Sequence, residues 1–391
     1  MRKSSRERAE IGKILAAEEC PHRPPCPGCP RFAVAGLAPT ARERLSAFAR
    51  ANGLPAVTVA GGAEFGFRCR ARLAIRGRVG APKVGLFESG THRVVHIPNC
   101  RVHHPLINEV AAVVRRALAE TRVSSYSERA HLGIARYLQI VVERASQTVQ
   151  VVLVVNAEDA GAVAACCDLV IERLGAALHS LWLNFNRERG NVILGERFER
   201  RSGPGSVVER FGGHAVHYPP GAFGQNNLEV AELLVAHVRS RIPAGAQVAE
   251  FYAGVGAIGL SILDQATSLR CNEVSPPSLA GLELGIAALE DQDRAKIHVF
   301  PGAAGTALSA ADGAGVVIAD PPRKGLDPEL TLHLARIAPE RLIYVSCSLD
   351  SLLADTARLV GAGRMRLAAL EAFNLMPFTE HVETVACFER I

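Results

Sequence analysis

QVAEFYAGVGAIGL, residues 247–260, sets an apolar run directly against three glycines, Gly254, Gly256 and Gly259. The run reads as a buried strand and the glycines as a tight turn opening into a helix. Glycine at such a junction lets a ligand approach the backbone at the start of the next helix. The G-x-G-x-x-G-like pattern alone serves equally well as a plain turn between strand and helix. Further on, SLRCNEV (268–274) reads as a second strand with Glu273 near its end, where a carboxylate can accept both hydroxyls of a ribose. Turn and acid together favour an adenosine-containing cofactor. They do not separate NAD from S-adenosylmethionine.

Downstream, apolar strands keep alternating with helical stretches. GVVIADPP (315–322) and RLIYVSC (341–347) are each followed by a helical pattern. This rhythm predicts an α/β, Rossmann-like, mostly parallel sheet with helices on both faces. Upstream the texture differs. RARLAIRG (70–77) and KVGLFESG (83–90) read as strands ended by glycine turns, and YLQIVVER, TVQVVLVVN and SLWLNFNR as buried strands. Helical patterns cover 106–120 and 160–178. The first part is therefore α+β with an antiparallel sheet. RRSGPGSVVERFGG (200–213) concentrates glycine and proline between the two textures, giving expected domains of 1–205 and 206–391.

Bulk properties agree with two folded domains. The 391 residues exceed one ordinary core, and 48% are hydrophobic, enough to fill two. A net charge of +5 is compatible with nucleic acid but does not require it. No apolar run is long enough to span a bilayer and the start lacks a signal-peptide core, so a cytoplasmic protein without a membrane partner is expected. Nothing in the sequence calls for an assembly, and a monomer is expected. In a reducing compartment its ten cysteines should be ligands, nucleophiles or core residues rather than disulfides.

Three further motifs carry chemistry. ADPPRKG (319–325) ends a strand with Asp320, and its prolines hold the chain extended while Arg323 follows into the same cleft. LIYVSCSLDSLLADTARL (342–359) delivers Ser346 and Cys347 at a strand end before a helix, where a thiol can act as a nucleophile. In NLMPFTEHVETVACFER (374–390), His381 and Glu383 alternate on a β-like segment and should share a face, so either could be a general base. Near the start, EECPHRPPCPGCP (18–30) sets Cys20, Cys26 and Cys29 as C-x5-C-x2-C, with Cys100 of HIPNC a candidate fourth ligand. Four thiolates suit either an iron–sulfur cluster or zinc, and spacing does not choose. Cys69, Cys166, Cys167, Cys271 and Cys387 read as core. Arg68, Arg70, Arg72, Arg76 and Arg78 alternate along one strand, so one face of it is expected to touch phosphates. Arg2, Lys3, Arg6 and Arg8 form a candidate basic arm.

The ordered set FGQNN (223–227), EFYAGVGAIGL (250–260), NEV (272–274), ADPPRKGL (319–326), YVSCSLDSLLAD (344–355) and PFTEHVE (377–383) resembles the RNA uridine-5-methyltransferases, which make 5-methyluridine in 23S rRNA and tRNA. The resemblance covers essentially the whole catalytic half. It implies a class I methyltransferase domain using S-adenosyl-L-methionine. Cys347 would add to carbon 6 of uracil, Glu383 would remove the carbon 5 proton, and Asp320 would contact the uracil and organise the nucleophile. Gln225, Tyr252, Gly254, Gly256, Glu273 and Asp320 would lie at the cofactor. It also implies a 4Fe–4S cluster on Cys20, Cys26, Cys29 and Cys100, as in the branch of the family that carries those cysteines. The stretch before Cys20 is too short for the small β-barrel with which some members begin. That and the cysteine set favour 23S rRNA over tRNA as the RNA partner. The chain departs from the family at Glu250, where Asp is usual, at Ala253, where Cys is common, and at Met376, where Phe usually precedes the proline. PGAAG (301–305) lacks the usual acid near the adenine. Two readings from other classes compete: a catalytically silent RNA-binding module, against which Cys347 and Glu383 stand, and a small-molecule methyltransferase, which would need neither the thiol nor the cysteine-rich first half.

Overall fold

The computed structural model describes residues 20–391, so the basic arm at Arg2, Lys3, Arg6 and Arg8 lies outside the described residues. The first elements are α1 (Pro39–Ala51) and the short β1 (Val59–Ala60). An upstream sheet then assembles from β2 (Arg70–Arg78), β3 (Ala81–Phe87), β4 (Val94–His96), β5 (Ala135–Glu143), β6 (Thr148–Val155), β7 (Leu178–Phe185) and β8 (Arg197–Ser202), in the order β4-β3-β2-β5-β6-β7-β8. Its pairings are antiparallel except β6 with β7, which are parallel. The exception follows from the crossover helix between those strands, because a tight hairpin can join only antiparallel neighbours.

Helices α2 (Pro105–Glu120) and α3 (Ala164–Leu174) cover one face of this sheet. Pro105 starts α2 with its φ already helical, and the His104 side chain accepts the Leu106 N–H. The apolar residues Ile107, Val110, Ala111, Val114, Ala117 and Leu118 recur at helical spacing and meet Leu138, Ile140, Val151 and Leu153 in one core. Cys69, Cys166, Cys167, Cys271 and Cys387 are all buried in that core.

The expected phosphate-facing row of arginines does not exist as a row. Arg70 and Arg76 are each only 8% exposed. The Arg70 guanidinium lies 4.1 Å above the Tyr218 ring, and that of Arg76 sits among Phe87, Tyr126 and Tyr137 while bonding Glu128 at 2.5 Å. These arginines are consumed by aromatic stacking and a partly buried ion pair. Arg72 and Arg78 remain exposed.

The second sheet is the α/β layer. After the hairpin β9 (Val207–Phe211) and β10 (His214–Tyr218), and α4 (Leu228–Ser240), come β11 (Ala246–Phe251), β12 (Ala266–Glu273), α5 (Pro276–Ala287), α6 (Asp291–Arg294), β13 (Ile297–Pro301), β14 (Val316–Ala319), α7 (Pro328–Ile337), β15 (Arg341–Ser346), α8 (Leu349–Gly361), β16 (Met365–Phe373) and β17 (Glu383–Arg390). The sheet order is β1-β16-β17-β15-β14-β11-β12-β13. Strands β11 to β15 run parallel, and β17 inserts antiparallel between β15 and β16. β1 pairs with β16, and Leu45 and Ala49 of α1 share a core with α8. The segment Pro39–Ala60 therefore packs on the downstream sheet although it precedes the upstream one. Among the described residues no helix is long and apolar enough to cross a membrane.

One expected element is absent. The glycine turn after β11 leads into turns and a single 3-10 turn, Leu260–Ile262, not an α-helix. Glycine disfavours helix through backbone entropy. Gly259 is also pressed against β11, since a Cβ there would stand 2.1 Å from the Glu250 carboxylate.

FGQNN stitches the two sheets together. The Cys69 N–H donates to the Asn226 carbonyl at 2.8 Å, Arg68 bridges to Asn227, and the Asn227 side chain caps α4 at Val230 N. A Cβ on Gly224 would fall 2.5 Å from the Arg70 guanidinium and 2.6 Å from the Tyr218 ring. Gly224→Ala should therefore cost about 1–3 kcal/mol through overpacking. Urea unfolding of the variant checks this, and an unchanged midpoint would contradict the tight fit.

Candidate active site

The parallel register sets the site. Phe251 pairs with Asn272 on one side and Ala319 on the other. The next residues of those three strands, Tyr252, Glu273 and Asp320, form one row along the carboxyl edge of the sheet, where open α/β sheets bind ligands. The Asp320 N–H reaches the Phe251 carbonyl at 3.4 Å, extending the ladder by one step. Glu273 is buried and held by backbone. Its Oε2 accepts from Gly254 N at 2.7 Å and its Oε1 from Val274 N at 2.8 Å and Ser275 N at 2.6 Å. Tyr252 has φ +60, and its hydroxyl accepts from Asp327 N at 2.9 Å, tying the glycine turn to the end of the ADPPRKGL loop. Gly254 has φ +60 and open space where a Cβ would be. Gly256 serves packing instead, because its missing Cβ would lie 2.7 Å from Leu282. Gln225 is half-buried in the loop before α4.

A second register brings the thiol to the acid. Ser346 of β15 pairs with Thr384 of β17. Cys347 follows this last pair on one strand and Glu383 precedes it on the other, which brings the two residues to the same end of the ladder. Electrostatics report the same neighbourhood. Burial pushes the Cys347 thiol up to about 11, with the charges of Glu383 and then Asp320 adding to the shift and Arg323 opposing it. Glu383 is buried and held well above the usual carboxylate range by burial and by Asp320, against Arg323. Burial raises Asp320 to about 7. Glu250, behind the row, is raised to about 8 by burial and then by Asp320. The structure thus gathers Cys347, Glu383, Asp320 and Arg323 into one cleft. His381 does not share the Glu383 face. It precedes β17 in an exposed loop, with Nε2 3.1 Å from the Arg323 guanidinium.

Sequence reasoning missed Asp355. This buried acid of α8 accepts from the Tyr344 hydroxyl at 2.9 Å and Leu326 N at 3.0 Å, and pairs with Arg358 at 3.1 Å. It fastens the ADPPRKGL loop to the strand that carries the thiol. The signal was an acid between Leu352 and Leu359 on the apolar stripe of a helix.

Cys20, Cys26, Cys29 and Cys100 converge at the other end of the chain. Burial raises the Cys29 thiol to about 11, and Cys100, Cys20 and Cys26 all add to the shift while Arg68 opposes it. Asn99 N donates to His22 Nε2 at 3.3 Å, joining the cysteine loop to HIPNC. Among the described residues no three His, Cys, Asp or Glu side chains are gathered to the spacing of a single bound metal ion.

The model of the tRNA (uracil-5-)-methyltransferase family matches residues 307–391, which hold Asp320, Cys347 and Glu383. An uncharacterized RNA methyltransferase of Protochlamydia amoebophila is 36% identical over 96% of this chain and 98% of its own length. The chain belongs to the RNA uracil-C5 methyltransferases. A second uncharacterized RNA methyltransferase, from Gloeobacter violaceus, is 30% identical over 90% of this chain and 76% of that one. Among solved structures, the Pyrococcus abyssi tRNA (uracil-54, C5)-methyltransferase in complex with S-adenosyl-L-homocysteine superposes with a TM-score of 0.71, at 23% identity, over 89% of this chain and 83% of that one. The fold is accordingly that of a class I S-adenosylmethionine-dependent methyltransferase with a β-rich domain before it, and the protein is an RNA (uracil-C5)-methyltransferase.

The electrostatics of this methyltransferase's cleft are open to direct measurement. With the thiol raised, its reaction with iodoacetamide, followed at the Cys347 peptide by mass spectrometry, should accelerate roughly tenfold per pH unit between pH 7 and 9, because only the thiolate reacts. Asp320→Asn removes a neighbouring negative charge and should speed the reaction several-fold at pH 8. A slower or unchanged rate would remove Asp320 from the thiol's surroundings.

Proposed function

We propose that Cys347 is the nucleophile, Glu383 the general base and Asp320 the uracil-binding acid of this enzyme, acting on a uridine of 23S rRNA. The observation that supports the reading is the β15–β17 register, whose last pair, Ser346 with Thr384, leaves the thiol of Cys347 and the buried carboxylate of Glu383 as the next residues at the carboxyl edge of the sheet. Carbon 5 of uracil is a poor nucleophile. Addition of the Cys347 sulfur to carbon 6 makes an enolate-like ring whose carbon 5 can attack an electrophile. When bound, S-adenosylmethionine would offer that carbon an electrophilic methyl group, the methyl–sulfur bond breaking to leave S-adenosyl-L-homocysteine. Glu383 then takes the carbon 5 proton, the ring double bond re-forms, and the electron pair of the carbon–sulfur bond returns to Cys347. The target base has to leave its stack to reach the thiol.

For the cofactor, the open face of Gly254, the half-buried Gln225 and the row Tyr252, Glu273 and Asp320 offer a fitting cradle, with Gly256 closing the turn onto α5. In this reading residues 206–391 perform the chemistry and residues 1–205 grip the RNA, apart from the segment of α1 and β1 that packs on the catalytic sheet.

Cys20, Cys26, Cys29 and Cys100 are proposed to hold a 4Fe–4S cluster. The reading is supported by the C-x5-C-x2-C spacing of the loop and by the fold, which brings Cys29 and Cys100 against the same small core of Phe67, Val102 and Phe378. Anaerobically purified protein should contain roughly four irons per chain with matching sulfide, and Cys29→Ser should lose them. Stoichiometric zinc in their place would retire the cluster.

The catalytic assignment is tested with 5-fluorouracil-containing 23S rRNA and tRNA plus S-adenosylmethionine. Fluorine cannot leave carbon 5 as a proton does, so a denaturation-resistant protein–RNA adduct should form, with 23S rRNA rather than tRNA, and vanish in Cys347→Ala. An adduct that survives this substitution would overturn the nucleophile, and one formed only with tRNA would overturn the choice of RNA.

A further inference from the structure

Glu383 is the first residue of β17, and the nine residues before it, 374–382, form neither helix nor strand. Such a segment would ordinarily be loose. Yet its central residue, Phe378, is only 1% exposed and is held at φ +66, a conformation unfavourable for a bulky side chain unless its surroundings enforce it.

Those surroundings come from the opposite end of the chain. The Phe378 ring lies 5.3 Å from Phe32 and 5.3 Å from Phe65, and those two rings are 5.8 Å apart, a closed triangle of tilted aromatics. The Arg31 N–H donates to the Phe378 carbonyl at 3.0 Å. The Arg31 side chain reaches Glu380 at 3.7 Å, and the Thr40 hydroxyl reaches the same carboxylate at 3.3 Å. Phe378 also packs with Phe67 and Val102 in a small core separate from the two main ones, rimmed by Cys29, Phe32 and Cys100. Three segments remote in sequence from residues 374–382 thus close on the one residue at the centre of the loop that delivers Glu383.

We propose that the Phe32–Phe65–Phe378 triangle is a clamp that positions Glu383 for proton removal, so that the cysteine-bearing loop acts on the last step of the reaction. The proposal rests on Glu383 being the base. In that step the Glu383 carboxylate takes the carbon 5 proton, the C–H electrons form the C5–C6 double bond, and the C6–S pair returns to sulfur. Cys347 does not depend on the clamp in the same way. It follows a strand paired on both sides within the sheet and is fixed by the helix cap at Ser348, whose side chain accepts from Ser351 N. Loosening the clamp therefore slows elimination more than attack.

The experiment uses the full-length enzyme with ordinary uridine-containing 23S rRNA and tRNA transcripts plus S-adenosylmethionine, quenched in denaturant. Turnover and the fraction of enzyme covalently bound to methylated RNA are read together. Phe32→Ala and the milder Phe65→Ala, whose ring is already 37% exposed, should each lower turnover roughly tenfold while raising the covalent fraction several-fold, and Phe32→Leu should recover most of the loss. A merely structural defect lowers both readouts in parallel, and that result, or no change in either, overturns the clamp. Glu383→Gln is the control for the underlying reading. If it accumulates adduct while the phenylalanine variants do not, only the clamp falls; if it loses turnover without accumulating adduct, the base and the clamp fall together.

Discussion

The seam between Arg341–Ser346 and Glu383–Arg390 is the constraint on which the site depends. Ser346 opposite Thr384 brings the next residue of one strand, Cys347, and the preceding residue of the other, Glu383, to the same end of the ladder. A slip of one residue would send every side chain of β17 to the other face of the sheet. The slip is prevented by burial on both sides: Val385 and Cys387 enter one core, Ala386 and Phe388 the other. The hydrophobic alternation of the last strand is thus what aligns a carboxylate with a thiol.

That alignment carries an electrostatic conflict. Three carboxylates, Glu250, Asp320 and Glu383, are raised by burial, Glu250 and Glu383 further by the charge of Asp320, and Glu383 and Asp320 in turn hold the Cys347 proton on. Arg323 is the cation that opposes the shift at both Cys347 and Glu383. Burial thus disfavours negative charge in the cleft. A positive charge beside these groups favours their ionised forms, as Arg323 does at Cys347 and Glu383. The hydrogen bonds of Asp355 to Tyr344 and Leu326 keep the strand and loop that frame the cleft together without adding a charge to its mouth.

Several elements were legible because their signals are local. Strands β2, β3, β5, β6 and β7 and helix α2 follow from periodicity and a proline at the helix start, whereas the three-residue β4 gave no such signal. The carboxyl-edge positions of Glu273 and Asp320 follow from strands that end at them. The illegible parts depend on partners distant in the chain. A helix after Gly259 is a fair reading of strand followed by glycines, but the backbone there is spent on close packing against Glu250. Alternating arginines on β2 read as a charged face. Only the folded chain reveals that Tyr218, and Phe87 with Tyr126 and Tyr137, take up two of them. His381 shares the alternation of Glu383 in sequence and loses it in space, because β17 begins at Glu383.

The sequence by itself determined the class of fold, the strand ends at which reactive residues sit, and the ordered motifs that mark an RNA uracil-C5 methyltransferase. The first two are written in spacing, which along a regular element converts directly into direction; the third is a resemblance to known sequences. Tertiary structure alone decided that Cys347 and Glu383 come to the same end of one ladder, that Pro39–Ala60 joins the downstream sheet, and that Phe32, Phe65 and Phe378 meet. Those are contacts between segments separated by tens to hundreds of residues, and they are set by which buried surfaces fit one another, a property no local pattern encodes.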